Sequence, residues 1–359
     1  MKRCELVCSN LETHGVDGLI VTSEPNVRYL SGFTGSESFL FLSHTARVFI
    51  TDSRYIEQAE DECPGFEVVR YRHPYPELEA VLGGLAAKHG VRNLGFEKDS
   101  IMFSLYDRLA NSGLEAQLVP TAGIVETLRY VKDDCEIQLI AKAARIADEA
   151  FRHILEIVET GIEEKDIEIE LDYFMKKAGA AAAGFPTIVA SGPRSSLPHA
   201  VPSRRKIEYG DFVTMDFGAM YGGYRSDMTR TIVMGRANDT QREIYETVKR
   251  AQAVGCSQIR AGVAGAGPDR AARDVIKDAG FGDFFGHGVG HGVGLEIHEE
   301  PFMSPKCERT LVAGSVVTVE PGIYLPRWGG VRIEDTVVVK EDGCEVLTLS
   351  SKELIALSA

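Results

Sequence analysis

Apolar positions change period along the chain. In the first third they come in short runs at strand spacing: residues 15–23 (GVDGLIVTS), 38–43 (SFLFLS) and 46–51 (ARVFIT) read as strands, with His44-Thr45 between the last two. In PYPELEAVLGGLAAKHG the pattern turns helical at Leu78, Val81, Leu82 and Leu85, and Gly90 closes the element. Residues 118–126 read as the last strand and exit of this part. From Lys132 onward the helical period dominates. Ile137, Ile140, Ala144, Ala147, Phe151, Ile154, Leu155 and Val158 form one stripe, with Asp133 or Asp134 as its cap and Gly161 past its end. Further helices are predicted over 163–178, 240–260 (capped by Asn238 or Asp239) and 268–279. Strands rich in Val, Ile and Thr are predicted over 211–219, 224–234, 315–320 and 331–339.

This pattern predicts an α/β protein of two domains with a boundary near 125–132. A chain of 359 residues is long enough for two cores. No repeat or low-complexity tract interrupts it. The net charge of −14, from 39 basic and 53 acidic residues, argues against a nucleic-acid or anionic-membrane surface. No stretch approaches the ~20 apolar residues of a membrane helix, and the first residues have no secretory apolar core. The seven cysteines form no CxxC pair. Thiols scattered in this way suggest a reducing, cytoplasmic setting.

The chemistry is carried by acidic residues in apolar surroundings. Asp216 lies in VTMDFGA and Asp227 in YRSDMTRT, on either side of Gly222-Gly223. A turn centred between Tyr221 and Gly222 would set the two directly opposite each other, with Cβ atoms ~4.5–5.5 Å apart. Carboxylates that close repel unless protonated or bridged by cations. The alternative, two solvent-facing aspartates beside a turn, is weakened by the scarcity of Asp inside strands. Glu320 ends VVTVE, where Pro321-Gly322 stops the strand, and Glu334 lies in VRIEDTVVV. Each is either a strand-end charge or a group held by a partner, because an unpaired buried carboxylate is costly. Arg332, two residues before Glu334, shares its face and is either its counter-ion or a substrate contact.

His287 and His291 lie in GHGVGHGVG, five glycines in nine residues, and His298 follows closely. Glycine at this density permits close backbone approach. A lone histidine is usually structural; three around glycines shift that balance. His199, in SLPHAVPS, is the weakest site residue on sequence alone. There is no G-x-G-x-x-G in this segment, no H-E-x-x-H, no GK[ST] loop and no G-x-S-x-G elbow. Four carboxylates balance two divalent ions, and an oxygen-rich set favours manganese, with cobalt, iron or zinc as alternatives.

The ordered set Asp216, Asp227, His291, Glu320 and Glu334 resembles that of the creatinase-like, or pita-bread, metallopeptidases, which include methionine aminopeptidase, aminopeptidase P and prolidase. The resemblance spans the chain. GVDGLIVTSEPNVRYLSGFTGS looks like the N-terminal domain of aminopeptidase P and prolidase, and LRYVKDDCEIQLIAKAARIADEA like their linker and first helix. It implies a non-catalytic mixed-sheet α/β domain over 1–127 and a pita-bread catalytic domain over 128–359. By position, Asp227 and Glu334 would bridge two metals, Asp216 would bind the first, and His291 and Glu320 the second. Glu320 would also accept a proton from a metal-bridging hydroxide or water. His199, His287 and His298 would serve catalysis and line the substrate cleft, with His298 on the tetrahedral intermediate. Tyr324 and Arg332 would stand near substrate. Phe185 reads as a core residue, with a cleft wall as the alternative.

The implied activity is hydrolysis of Xaa-Pro bonds at peptide N-termini or in dipeptides, on short peptides with proline second, by a homodimer. Such bonds lack an amide N–H. A methionine aminopeptidase and a non-enzymatic binding module are the competing expectations.

Overall fold

The computed structural model describes residues 2–358, and the chain divides into two compact units, Met1–Arg129 and Tyr130–Ala359. The first unit is built on a mixed sheet of six strands: β1 (Gly18–Val21), β2 (Ser38–Ser43), β3 (Arg47–Thr51), β4 (Glu67–Arg70), β5 (Asn93–Glu97) and β6 (Gln117–Thr121), in the order β4-β3-β2-β1-β5-β6. β1–β2 and β2–β3 are antiparallel; β3–β4, β1–β5 and β5–β6 are parallel. Parallel neighbours need crossovers, and helices Ile56–Glu62 and Phe103–Ala110 supply two of them. Helix Leu78–His89 buries Leu78, Leu82 and Leu85 and stops at Gly90, whose φ of 68° suits glycine. Val81 is only partly buried. Helix Glu24–Ser31 escaped the apolar pattern because eight residues hold barely two turns.

The second unit pairs helices with sheets twice. Helices Asp134–Ile154 and Glu164–Lys177 share one core with β7 (Ala182–Ala183), β8 (Ile188–Ser191), β9 (Phe212–Phe217) and β12 (Met228–Met234). Helices Asp239–Ser257 and Ala266–Asp278 share another with β15 (Val316–Val319) and β18 (Asp335–Val339). This doubled helix-on-sheet layout is the pita-bread architecture. Asp133 and Asn238 cap their helices through reciprocal capping boxes with Glu136 and Gln241. The first helix ends at Ile154 instead of near Gly161. Glu156 and Ile157 donate to carbonyls only three residues back, which tightens the chain out of α geometry. Leu155 and Val158 still pack on the same core.

Two corrections concern the strands that carry site residues. β10 (Ala219–Tyr221) and β11 (Tyr224–Arg225) close the hairpin with Tyr221 opposite Tyr224, so the turn is Gly222-Gly223, with φ of 59° and 89°. That centre lies one residue beyond the expected one. Asp216 therefore pairs with Thr229, not with Asp227. A two-residue change in pairing preserves the face, because strand side chains alternate with period two. Asp227 stays diagonal to Asp216 on the same side of the hairpin.

The strand expected over 331–339 is divided. β17 (Gly329–Arg332) pairs with β16 (Gly322–Leu325), whereas β18 joins β15 in a second sheet. The break at Ile333-Glu334 lets the Glu334 N–H reach the Thr229 carbonyl at 3.1 Å. Behind it, buried Arg230 donates to the Glu334 carbonyl at 2.5 Å and to Asp335 at 2.8 Å.

Candidate active site

His291 sits in β13 (Gly290–Gly292), a strand whose glycines are needed for contact and not for turning. A Cβ on Gly290 would collide with the Thr318 carbonyl, and one on Gly292 with the Glu300 carbonyl. The neighbouring chain, β14 (Glu299–Met303), can pack this close only against glycine. Thr318 Oγ1 accepts from the His291 N–H at 3.0 Å and faces Glu320 Oε1 at 3.3 Å. The His291 Nδ1 lies 3.1 Å from the Gly292 carbonyl. Protonation there directs the Nε2 lone pair inward, the usual arrangement of a histidine that holds a metal. Nε2 lies 3.5 Å from Asp227 Oδ2 and 3.4 Å from Glu320 Oε1.

Asp227, His291 and Glu334 offer ligand atoms that all lie within 4.8 Å of one another, and all three residues are buried. Glu320 joins them through His291. Asp216 belongs to the same cavity but is drawn to the Arg332 guanidinium at 2.7 Å. Arg332, 3% exposed, is thus the partner of Asp216 rather than a counter-ion of Glu334 alone. It also donates to Thr229 Oγ1 at 3.0 Å, and Thr229 in turn donates to Glu334 Oε2 at 2.6 Å. Sequence reasoning missed Thr229 and Thr318. Each lies two residues from an acidic residue, Asp227 or Glu320, so strand alternation carried the signal.

The electrostatics are those of a cation site. Burial, with Glu334, Asp216 and Glu320 nearby, raises the Asp227 carboxyl well above its ordinary range. Burial, then Glu320 and Asp216, does the same to Glu334. Glu320 is pushed up to about 8 by burial and Asp216, against the pull of Arg332. Asp216 Oδ1 and Asp227 Oδ1 are buried with no hydrogen-bond partner. Buried oxygens left unpaired beside other carboxylates fit a divalent ion, which would supply the missing positive charge and coordinate those atoms.

The remaining predicted residues surround a cavity of about 600 Å³. His199, His287 and His298 line it. Burial lowers His287 to about 4; its Nδ1 lies 2.8 Å from the Gly288 carbonyl and its Nε2 2.9 Å from the Tyr324 hydroxyl. Burial likewise brings His291 to about 4, helped by His298. His298 is lowered by burial and His199. Tyr324 stands one layer back. Its hydroxyl bridges His287 and Arg332, and the residue is 8% exposed. Phe185 is half-buried and lines the cavity, so the cleft-wall alternative describes it and the core reading does not.

A helix-and-sheet fold with a buried carboxylate–histidine cluster under an open cavity defines a metallopeptidase. Residues 138–341 match the model of metallopeptidase family M24, and residues 3–131 match the creatinase/prolidase N-terminal domain. The chain belongs to family M24. It is 36% identical over 347 residues to the Xaa-Pro dipeptidase of Pyrococcus horikoshii, covering 96% of each. The structure of an Xaa-Pro dipeptidase from Bacillus anthracis superposes with a TM-score of 0.97 at 44% identity, covering 99% of both chains. That of an X-Pro aminopeptidase from Thermotoga maritima gives 0.90 at 37%, covering 96% of this chain and 99% of that one.

Proposed function

We propose that this chain is an Xaa-Pro exopeptidase, acting first on dipeptides, whose divalent ions are held by Asp216, Asp227, His291, Glu320 and Glu334. The observation that carries the proposal is the convergence of Asp227, His291 and Glu334 at one wall of a cavity large enough for a dipeptide. The dipeptidase names of two of the relatives favour dipeptides over longer peptides. Manganese is the first ion proposed for this oxygen-rich set, ahead of cobalt, iron or zinc. When bound, a divalent pair supplies an acidified water and a polarised scissile carbonyl.

The chain's own groups supply the rest. Glu320, raised to about 8 in the metal-free cluster and ionised once cations are bound, would accept a proton from the attacking water and return it to the proline nitrogen. His298, half-open to the cavity, is placed to donate to the carbonyl oxygen as charge develops. His199 lines the cleft beside it. Both His287 nitrogens are engaged, so it offers substrate a ring face. Arg332 and Tyr324 hold Asp216 and His287 in position. Phe185, Ile297 and Phe302 give an apolar wall for an imino ring and its neighbour. Every residue lining the cavity lies between Glu168 and Glu334, which supports a non-catalytic role for residues 1–127.

The test is a peptidase assay after chelation and reloading with manganese, cobalt, iron or zinc. Metal-dependent release of proline from Xaa-Pro, faster than cleavage of Xaa-Pro-Yaa or Met-Ala, is expected. Turnover of Met-Ala alone would point to a methionine aminopeptidase. Fewer than one ion per chain, with no activity on reloading, would leave only a binding module.

A further inference from the structure

Away from the acidic cluster and the histidines the cavity wall is mostly apolar, with Thr187 and Ser304 as its neutral polar members and Glu168 as its one charged side chain. Phe185, Ile188, Val201, Ile297 and Phe302 line it, and Glu168 stands among them. Sequence reading assigned Glu168 no role. It belongs to helix Glu164–Lys177, one turn before Asp172, whose carboxylate takes the Thr187 hydroxyl at 2.7 Å. That contact holds the Phe185–Ile188 segment against this face of the helix. Ile188 is in turn paired with Asp216 across β8 and β9. Glu168 therefore lies on the side of the cavity reached from the metal cluster by way of Asp216 and Ile188.

Its present partner is Lys165, one turn back on the same helix and 47% exposed on its side chain. An i,i+3 pair with so exposed a lysine is weak and readily exchanged. An apolar slot with a carboxylate on its wall matches one kind of side chain: a long alkyl stem ending in a cation.

We infer that Glu168 selects Xaa-Pro substrates whose first residue is lysine or arginine. The stem packs on Phe185 and Phe302, and the charged end replaces Lys165 at the Glu168 carboxylate. This inference rests on the proposed Xaa-Pro activity and adds to it the class of first residue. Glu168 touches substrate only at that side chain and takes no part in bond breaking.

The experiment measures kcat/KM for Arg-Pro, Lys-Pro, Leu-Pro and Glu-Pro with manganese-loaded wild type, Glu168→Gln and Lys165→Met. In wild type, Arg-Pro and Lys-Pro are expected to exceed Glu-Pro. Glu168→Gln is expected to lower the Arg-Pro to Leu-Pro ratio about fivefold, the worth of one partly exposed ion pair. The change should fall in KM and fade at high salt, while Leu-Pro turnover holds. Lys165→Met is expected to move the ratio the other way. An unchanged ratio in Glu168→Gln, or an equal loss on Leu-Pro, overturns the inference and leaves the Xaa-Pro activity standing. No turnover of any of the four dipeptides by wild type overturns both.

Discussion

Single residues at the acidic cluster carry protonation states set by burial and reinforced by their neighbours' charges. In the metal-free protein the Glu320 carboxyl sits near 8, against an ordinary 4.5, and Asp227 and Glu334 are raised as well. Groups shifted upward lend stability that is complete below their unfolded values and disappears as pH rises through the folded ones. For Glu320 that loss runs from about pH 4.5 to about pH 8 and is nearly complete above it. Cations reverse it by neutralising the ionised carboxylates, and at lower pH they must first displace the protons. The rise in Tm on adding manganese should therefore grow from pH 6 to pH 9; a rise independent of pH in differential scanning calorimetry would refute it. His291→Ala should lower kcat/KM by about a hundredfold or more, since a group directly on the metal outweighs its supports. Its loss should cost the metal-free fold about 2–3 kcal/mol, from hydrogen bonds to the Gly292 and Ile297 backbone and the space left by a buried ring, and leave it folded. Wild-type turnover in that variant would remove His291 from the site.

At the level of elements, the acidic positions were legible because the strands that carry or adjoin them obey period two, Asp216 within β9 and Asp227, Glu320 and Glu334 at strand ends. The hairpin turn was misplaced by one residue and the pairing by two, yet Asp216 and Asp227 kept a common face. Parity survives a register error of two, whereas direct opposition does not. The break between β17 and β18 was invisible, because VRIEDTVVV is apolar throughout and a run shared by two sheets reads like one long strand. β14 went unpredicted for the opposite reason: EEPFM has almost no apolar pattern of its own. Its place depends on glycines in β13, and that dependence can be tested. Gly290→Ala forces the Thr318 backbone away and moves both His291 and Glu320. Manganese affinity, measured by calorimetric titration, should fall by at least about tenfold. An unaltered affinity would mean that the close approach of β13 to Thr318 is not what aligns the site.

For the molecule as a whole, each unit has its own core, and the cavity is lined from the second alone. Metal binding should accordingly slow amide hydrogen exchange around Asp216, Asp227, His291, Glu320 and Glu334 and leave the strands β1 to β6 nearly unaffected. Equal protection of both units would show that the metal stabilises the chain as one cooperative body. Local order along the chain was enough to read two α/β units, the capped helices and five chemically apt side chains, because hydrophobic period, capping and turn chemistry act between residues close in sequence. Tertiary packing alone decided that Arg332 serves Asp216, that Tyr324 stands behind His287, that Phe185 faces the cavity and that Glu168 reaches it. Those outcomes depend on which groups from distant segments become neighbours, and burial then fixes both their charge and their partners.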